Sequence, residues 1–328
     1  MTTMRVRLQP IHGHPALVID NGIVSLTVLP GKGADIVSFV HLPTATESLW
    51  RSPRGLDELL KPAGEIRYIG GWIETFPNAW SGCTCNGRKL DGYGDVWQLG
   101  WEYRIARNDR LAIQVDFIVR SRQLPLLLRR TISLKAGASG IRIEETAVNT
   151  GDETVEFTWG HHPNIGRPFL DEDCMIELPP CEIVEAETDR KIGEWPFLTG
   201  AAGVDDLRLI PKYGTSQENR QLFLRRLAVP TAAVRNARTG LTFRLTWDGA
   251  TFPDLLLWRS FQTGWSEQFG DNQIVCLFPK RSFRNTADAA ERGEALMLEP
   301  GMSHSTWIEA ELSEGMATSI SEPIHNSD

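Results

Sequence analysis

The sequence runs to 328 residues, 41% hydrophobic and 23% charged, which is enough apolar material for a substantial core. A formal net charge of −8 argues against the basic face that a nucleic acid or an anionic membrane would need, so neither is expected as a partner. No apolar run is long enough to span a bilayer, and Met1 to Arg7 lack the apolar core of a signal peptide, so a cytoplasmic protein is expected.

Strand-like segments recur along the chain. Ala16–Asp20, Gly22–Leu29 and Ala34–Leu42 open the series, with Asn21-Gly22 as a turn signal. Pro43–Ile66 is less regular, with one helical turn over Leu56–Lys61. Gly70–Gly94, rich in glycine and aromatics, reads as a long structured loop, and loops of that length are usually functional. Cys83-Thr84-Cys85 lacks the second cysteine pair of a metal site. With five cysteines and no secretion signal, reduced thiols are the simpler expectation. Val96–Ala106 with Leu111–Val119, and Leu126–Leu134 with Ile141–Asn149, read as hairpins. Arg129-Arg130 reads as a solvated strand edge.

The stretch from Asn149 to Pro163 is the most informative. Asn149-Thr150-Gly151-Asp152 reads as a hairpin turn, and Glu153–Trp159 alternates polar residues with Val155, Phe157 and Trp159, as a strand with one buried face does. The strand is expected to end at Gly160-His161-His162-Pro163, where Pro163 holds His162 extended. A titratable imidazole at a strand end is a candidate proton carrier, or else a turn hydrogen-bonding group. Beyond it, Ile192–Gly214 reads as a loop. Ala232–Ala237 with Leu241–Trp247 forms a hairpin, and further strands cover Leu255–Trp258, Ile274–Phe278, Ala295–Leu298 and Ser303–Leu312. Thr286–Arg292 is a short helix. Many short strands, few helices and no dividing linker predict an all-β sandwich or barrel in one domain spanning residues 1–328.

Five stretches in order resemble the galactose mutarotase-like (aldose 1-epimerase) family. They are the Asn149–Gly151 turn leading to Gly160–Pro163, the Gly70–Asn78 loop, Tyr93–Trp97, Phe252–Trp258 and Leu298–Ser303. The resemblance implies a β-supersandwich of large antiparallel sheets with a sugar in a concave face. It also implies interconversion of the α and β anomers of a hexose-like sugar, by acid–base ring opening without a cofactor or metal. Two proton carriers of separated pKa are then needed. His162 matches the family's acid. The base should lie on a late strand ending in Glu-Pro, but this chain has Phe278 there, and Tyr93 stands where many members carry a second histidine.

Candidate substrate-binding residues are Glu74, Asn78, Arg88, Tyr93, Asp95, Trp97, Asp254 and Trp258. Glu74, Asp95 and Asp254 are candidate carboxylates, Arg88 a candidate for an anionic substituent, and Trp97 and Trp258 candidate stacking platforms. Three functions stay open: an aldose 1-epimerase-like isomerase, a sugar-binding protein that lost the chemistry, and a divergent sugar-active enzyme. The expected partner is a small-molecule sugar, and a homodimer is compatible with the reading.

Overall fold

The computed structural model describes residues 4–61, 68–200, 203–262, 269–270 and 272–315. Trp265 and parts of the Pro43–Ile66 and Ile192–Gly214 stretches lie outside them. Two large antiparallel sheets, of 14 and 8 strands, dominate the fold, and there is one short α-helix among the described residues. They pack face to face over one apolar core, as in the Phe39–Phe243 contact between them at 6.1 Å. This is the all-β sandwich expected. The helix, Thr286–Glu291, is capped by Asn285, whose side chain accepts from the Asp288 N–H.

Three central strands of the larger sheet carry the argument: Gly160–Gly166, Gln273–Lys280 and Asp254–Phe261, adjacent in that order. Every residue in them is buried, because the second sheet covers one face and a separate aromatic cluster covers the other. That double cover explains why these segments, like Trp72–Thr75, show no alternation in sequence.

Several expectations need correction. Gly160-His161-His162-Pro163 does not end a strand; it begins a central one, paired with Trp72–Thr75 on one side and Gln273–Lys280 on the other. The ladder to Gln273–Lys280 is made at Gly160 and resumes at Asn164, and Pro163, which has no N–H, lies in the gap. A Cβ on Gly160 would come within 2.5 Å of the Phe278 ring, so glycine is required for this approach. The Asn149 turn is not a hairpin either. Gly140–Asn149 pairs with Leu126–Lys135 and Ser303–Glu314, whereas Val155–Phe157 pairs with Leu296–Leu298. The Asn149 side chain makes the switch: it donates to the carbonyls of Glu153 and Leu298 and accepts from the Gly151 N–H. The Gly70–Gly94 loop contains the strand Trp72–Thr75 and the hairpin Cys83–Cys85/Arg88–Leu90. Val96–Gln98 is a 3-10 turn. Glu218–Arg225 is a strand that sequence patterning missed, and the Ile192–Gly214 stretch holds the short strands Phe197–Gly200 and Gly203–Asp206.

Candidate functional site

The pleat sends His161 and His162 to opposite faces of the sheet. His161 enters the core between the sheets, where Trp72 Nε1–H donates to its Nδ1 at 3.2 Å and its Nε2 lies 2.8 Å from Glu145. Arg130 is ion-paired with both Glu145 and Glu74 and donates to the Ala34 carbonyl at 3.0 Å. Arg130 is 4% exposed, so it is an internal cation and no solvated edge. The ligand atoms of Glu74, Glu145 and His161 lie within 4.8 Å of one another, and the Arg130 guanidinium supplies the positive charge for that group. The pair holds the Glu145 carboxyl below its usual range: burial raises it, but His161 and Arg130 overcome that.

His162 faces the other way, into a hollow of about 960 Å³ on the outer face of the 14-stranded sheet. The hollow is lined by rings from several elements, among them Tyr93, Trp97, Trp258 and Phe278. His162 lies 4.8 Å from the Phe278 ring, 5.7 Å from Tyr93 and 6.1 Å from Trp258, centroid to centroid. Its Nδ1 is 3.4 Å from Cys276 Sγ. Burial pushes the His162 pKa down to about 4; a hydrogen bond with its own backbone opposes this, and Lys280 reinforces it. The imidazole is therefore neutral at pH 7.

Phe278 stands directly across from His162, since the strand pairing sets Gly160 against Lys280 and Asn164 against Cys276. A phenyl ring thus occupies the position where the resemblance expects a carboxylate. Two residues on, the Lys280 amine donates to the Ala79 carbonyl at 2.7 Å, over the rings of Trp80 at 4.1 Å and Phe278 at 4.4 Å. Burial drives its pKa well down. Tyr93 adopts a left-handed backbone, φ +63°, and burial raises its phenol to about 12, so it serves as a hydroxyl donor and not as a phenolate.

Of the other predicted residues, Asp95, Trp97 and Trp258 line the hollow. Asp95 accepts from Ser121 Oγ and the Arg122 N–H, and its pKa is raised because burial outweighs those bonds. Trp97 and Gln98 both line the hollow, and the buried Trp97 Nε1 and Gln98 Oε1 have no hydrogen-bond partner among the described residues. Trp258 Nε1 donates to Asn219 at 2.7 Å. Four candidates do not reach the hollow. Glu74 points into the core because it pairs with His161, not His162. Asn78 is spent inside its loop, donating to the Ser81 and Asp91 carbonyls and accepting from the Thr286 N–H. Arg88 is exposed on the Cys83–Leu90 hairpin. Asp254 is buried in an ion pair with Arg225 at 3.1 Å. Sequence reasoning missed Asn219 and Gln221, which share one face of the unassigned strand Glu218–Arg225 with Phe223; four polar residues in a row at its start hide any period of two.

Solved structures share this architecture. A galactose mutarotase-like protein from Clostridium acetobutylicum superposes with a TM-score of 0.67 at 11% identity, covering 95% of this chain and 99% of its own. A galactose mutarotase related enzyme from Lactobacillus acidophilus gives 0.65 at 15% identity, covering 91% and 97%. The Slr1438 protein from Synechocystis sp. PCC 6803 gives 0.68 at 17% identity, covering 96% and 99%. The fold is therefore galactose mutarotase-like. No curated protein matches the sequence. Residues 100–312 match the family model described as Domain of unknown function (DUF4432), and the chain belongs to that family.

Proposed function

We propose that the protein binds a pyranose-like sugar in the aromatic hollow, with the neutral His162 imidazole hydrogen-bonded to the ring oxygen or an adjacent hydroxyl. In this reading the two-carrier ring opening of aldose 1-epimerases is not its working chemistry. One observation carries the reading: the Phe278 ring sits 4.8 Å from His162 and cannot accept a proton. The concave, ring-lined shape supports a ligand with both C–H faces and hydroxyls. The likeness to a galactose mutarotase related enzyme supports a sugar as that ligand.

A second reading is favoured by Asp95, a hollow-lining carboxylate of raised pKa. In that case Asp95 is the base and the protein is an anomer-exchanging enzyme. Saturation-transfer NMR over a panel of aldoses separates the two. Binding without exchange faster than in water upholds the first reading. Exchange that His162→Ala and Asp95→Asn each abolish establishes the second, and absence of binding by every sugar refutes both.

A further inference from the structure

We propose that Cys276 is a positioning residue: its buried thiol donates to His162 Nδ1, holding the imidazole as the tautomer that carries its proton on Nε2. Asn164 is paired with Cys276, and His162 lies on the same face two residues away, so the register sets the sulfur diagonally across from the imidazole. The Sγ–Nδ1 separation is 3.4 Å, and Phe278, Tyr93 and Trp258 hem the ring on three sides, so the imidazole has little room to turn away.

Cys276 is wholly buried, and burial raises its pKa well above the ordinary thiol range, so the sulfur keeps its proton. A buried S–H is a donor in need of an acceptor, and Nδ1 is the partner recorded for it among the described residues. A neutral imidazole has one donor nitrogen and one acceptor nitrogen. The backbone of His162 competes, since its carbonyl would favour a proton on Nδ1. The thiol tips the choice by using Nδ1 as acceptor. Nε2–H then remains to donate to a ligand oxygen, and the hollow selects a ligand that offers a lone pair at that point.

This inference rests on the reading of the hollow as a sugar site, but its first test needs no sugar. The full chain, with ¹⁵N-labelled histidine, is studied at pH 7 by long-range ¹H–¹⁵N spectra, and His162 is assigned by its loss in His162→Gln. The expected result is an unprotonated Nδ1 and a protonated Nε2, kept in Cys276→Ser and lost in Cys276→Ala. Binding of D-galactose should weaken roughly tenfold in Cys276→Ala and recover in Cys276→Ser, as loss of one oriented hydrogen bond implies. A proton on Nδ1 in the wild type overturns the proposal, as does an unchanged tautomer in a folded Cys276→Ala protein. If Cys276→Ala does not fold, the wild-type and Cys276→Ser spectra decide. The expected tautomer in a protein that binds no sugar upholds the thiol–imidazole pair and sinks the sugar reading alone.

Discussion

Replacing Phe278 with glutamate puts a carboxylate where this chain has a ring. Phe278 is wholly buried against His162, and losing such a ring costs about 3–5 kcal/mol. The new carboxylate would lie near the Lys280 amine, now 4.4 Å from the ring centroid. Burial holds that amine's pKa well down, and the carboxylate would favour its protonated form. The ion pair's attraction, of order 4 kcal/mol at an effective dielectric of about 20, is offset in part by the cost of charging the buried amine. The variant is therefore expected to fold, with reduced stability. The anion should also draw the His162 pKa, now about 4, back toward its ordinary range. A second proton carrier at the anomeric centre is then available, and one positioned carrier contributes about 10²- to 10⁴-fold in rate. Saturation-transfer NMR on D-glucose and D-galactose should show anomer exchange faster with Phe278→Glu than with wild type or Phe278→Gln. If a folded, sugar-binding Phe278→Glu protein exchanges no faster than Phe278→Gln, the reading that Phe278 stands in for a missing base is refuted.

Arg130→Met strands Glu74 and Glu145 as buried charges, and urea unfolding should show a loss of about 3–5 kcal/mol, smaller when combined with Glu145→Gln. His162 has its folded pKa lowered from 6.5 to about 4, so as pH falls through that window the unfolded state takes up the proton first and stability is lost. The loss reaches about 3 kcal/mol by pH 4. Asp254 and Asp35, both raised to about 6, pull the opposite way over pH 4 to 6, so the His162 component is read as the difference between wild type and His162→Gln in denaturant titrations at pH 4.5 and 7. Trp97→Phe keeps an aromatic ring of smaller size and removes a buried indole N–H that has no partner among the described residues. Calorimetry should show sugar binding weakened by roughly 3- to 10-fold, with the melting temperature lowered by the cavity that the smaller ring leaves under Lys32.

The fold class was legible because hairpins such as Ala112–Arg120 with Leu126–Lys135 alternate cleanly between buried and exposed residues. The segments around the hollow were not. Gly160–Gly166 and Trp72–Thr75 are covered on both faces, so they carry no period of two, and Pro163 argued against a central strand. His162, Tyr93, Asp95, Trp97 and Trp258 could be picked from motif order. Glu74 could not be separated from them, because only cross-strand register reveals which face a residue takes. Cys276 and Lys280 had no sequence signal, since their neighbours on the hollow face come from distant parts of the chain.

The two adjacent imidazoles imply a constraint on strand alignment. A slip of the Gly160–Gly166 strand by one residue that turned His161 toward the hollow would set Gly160 on the core side in its place, leaving Glu145 without its imidazole partner beside Arg130. The ion cluster between the sheets therefore works as a register lock. It penalises every misalignment that would turn the wrong histidine toward the hollow, from the side of the sheet that no ligand reaches.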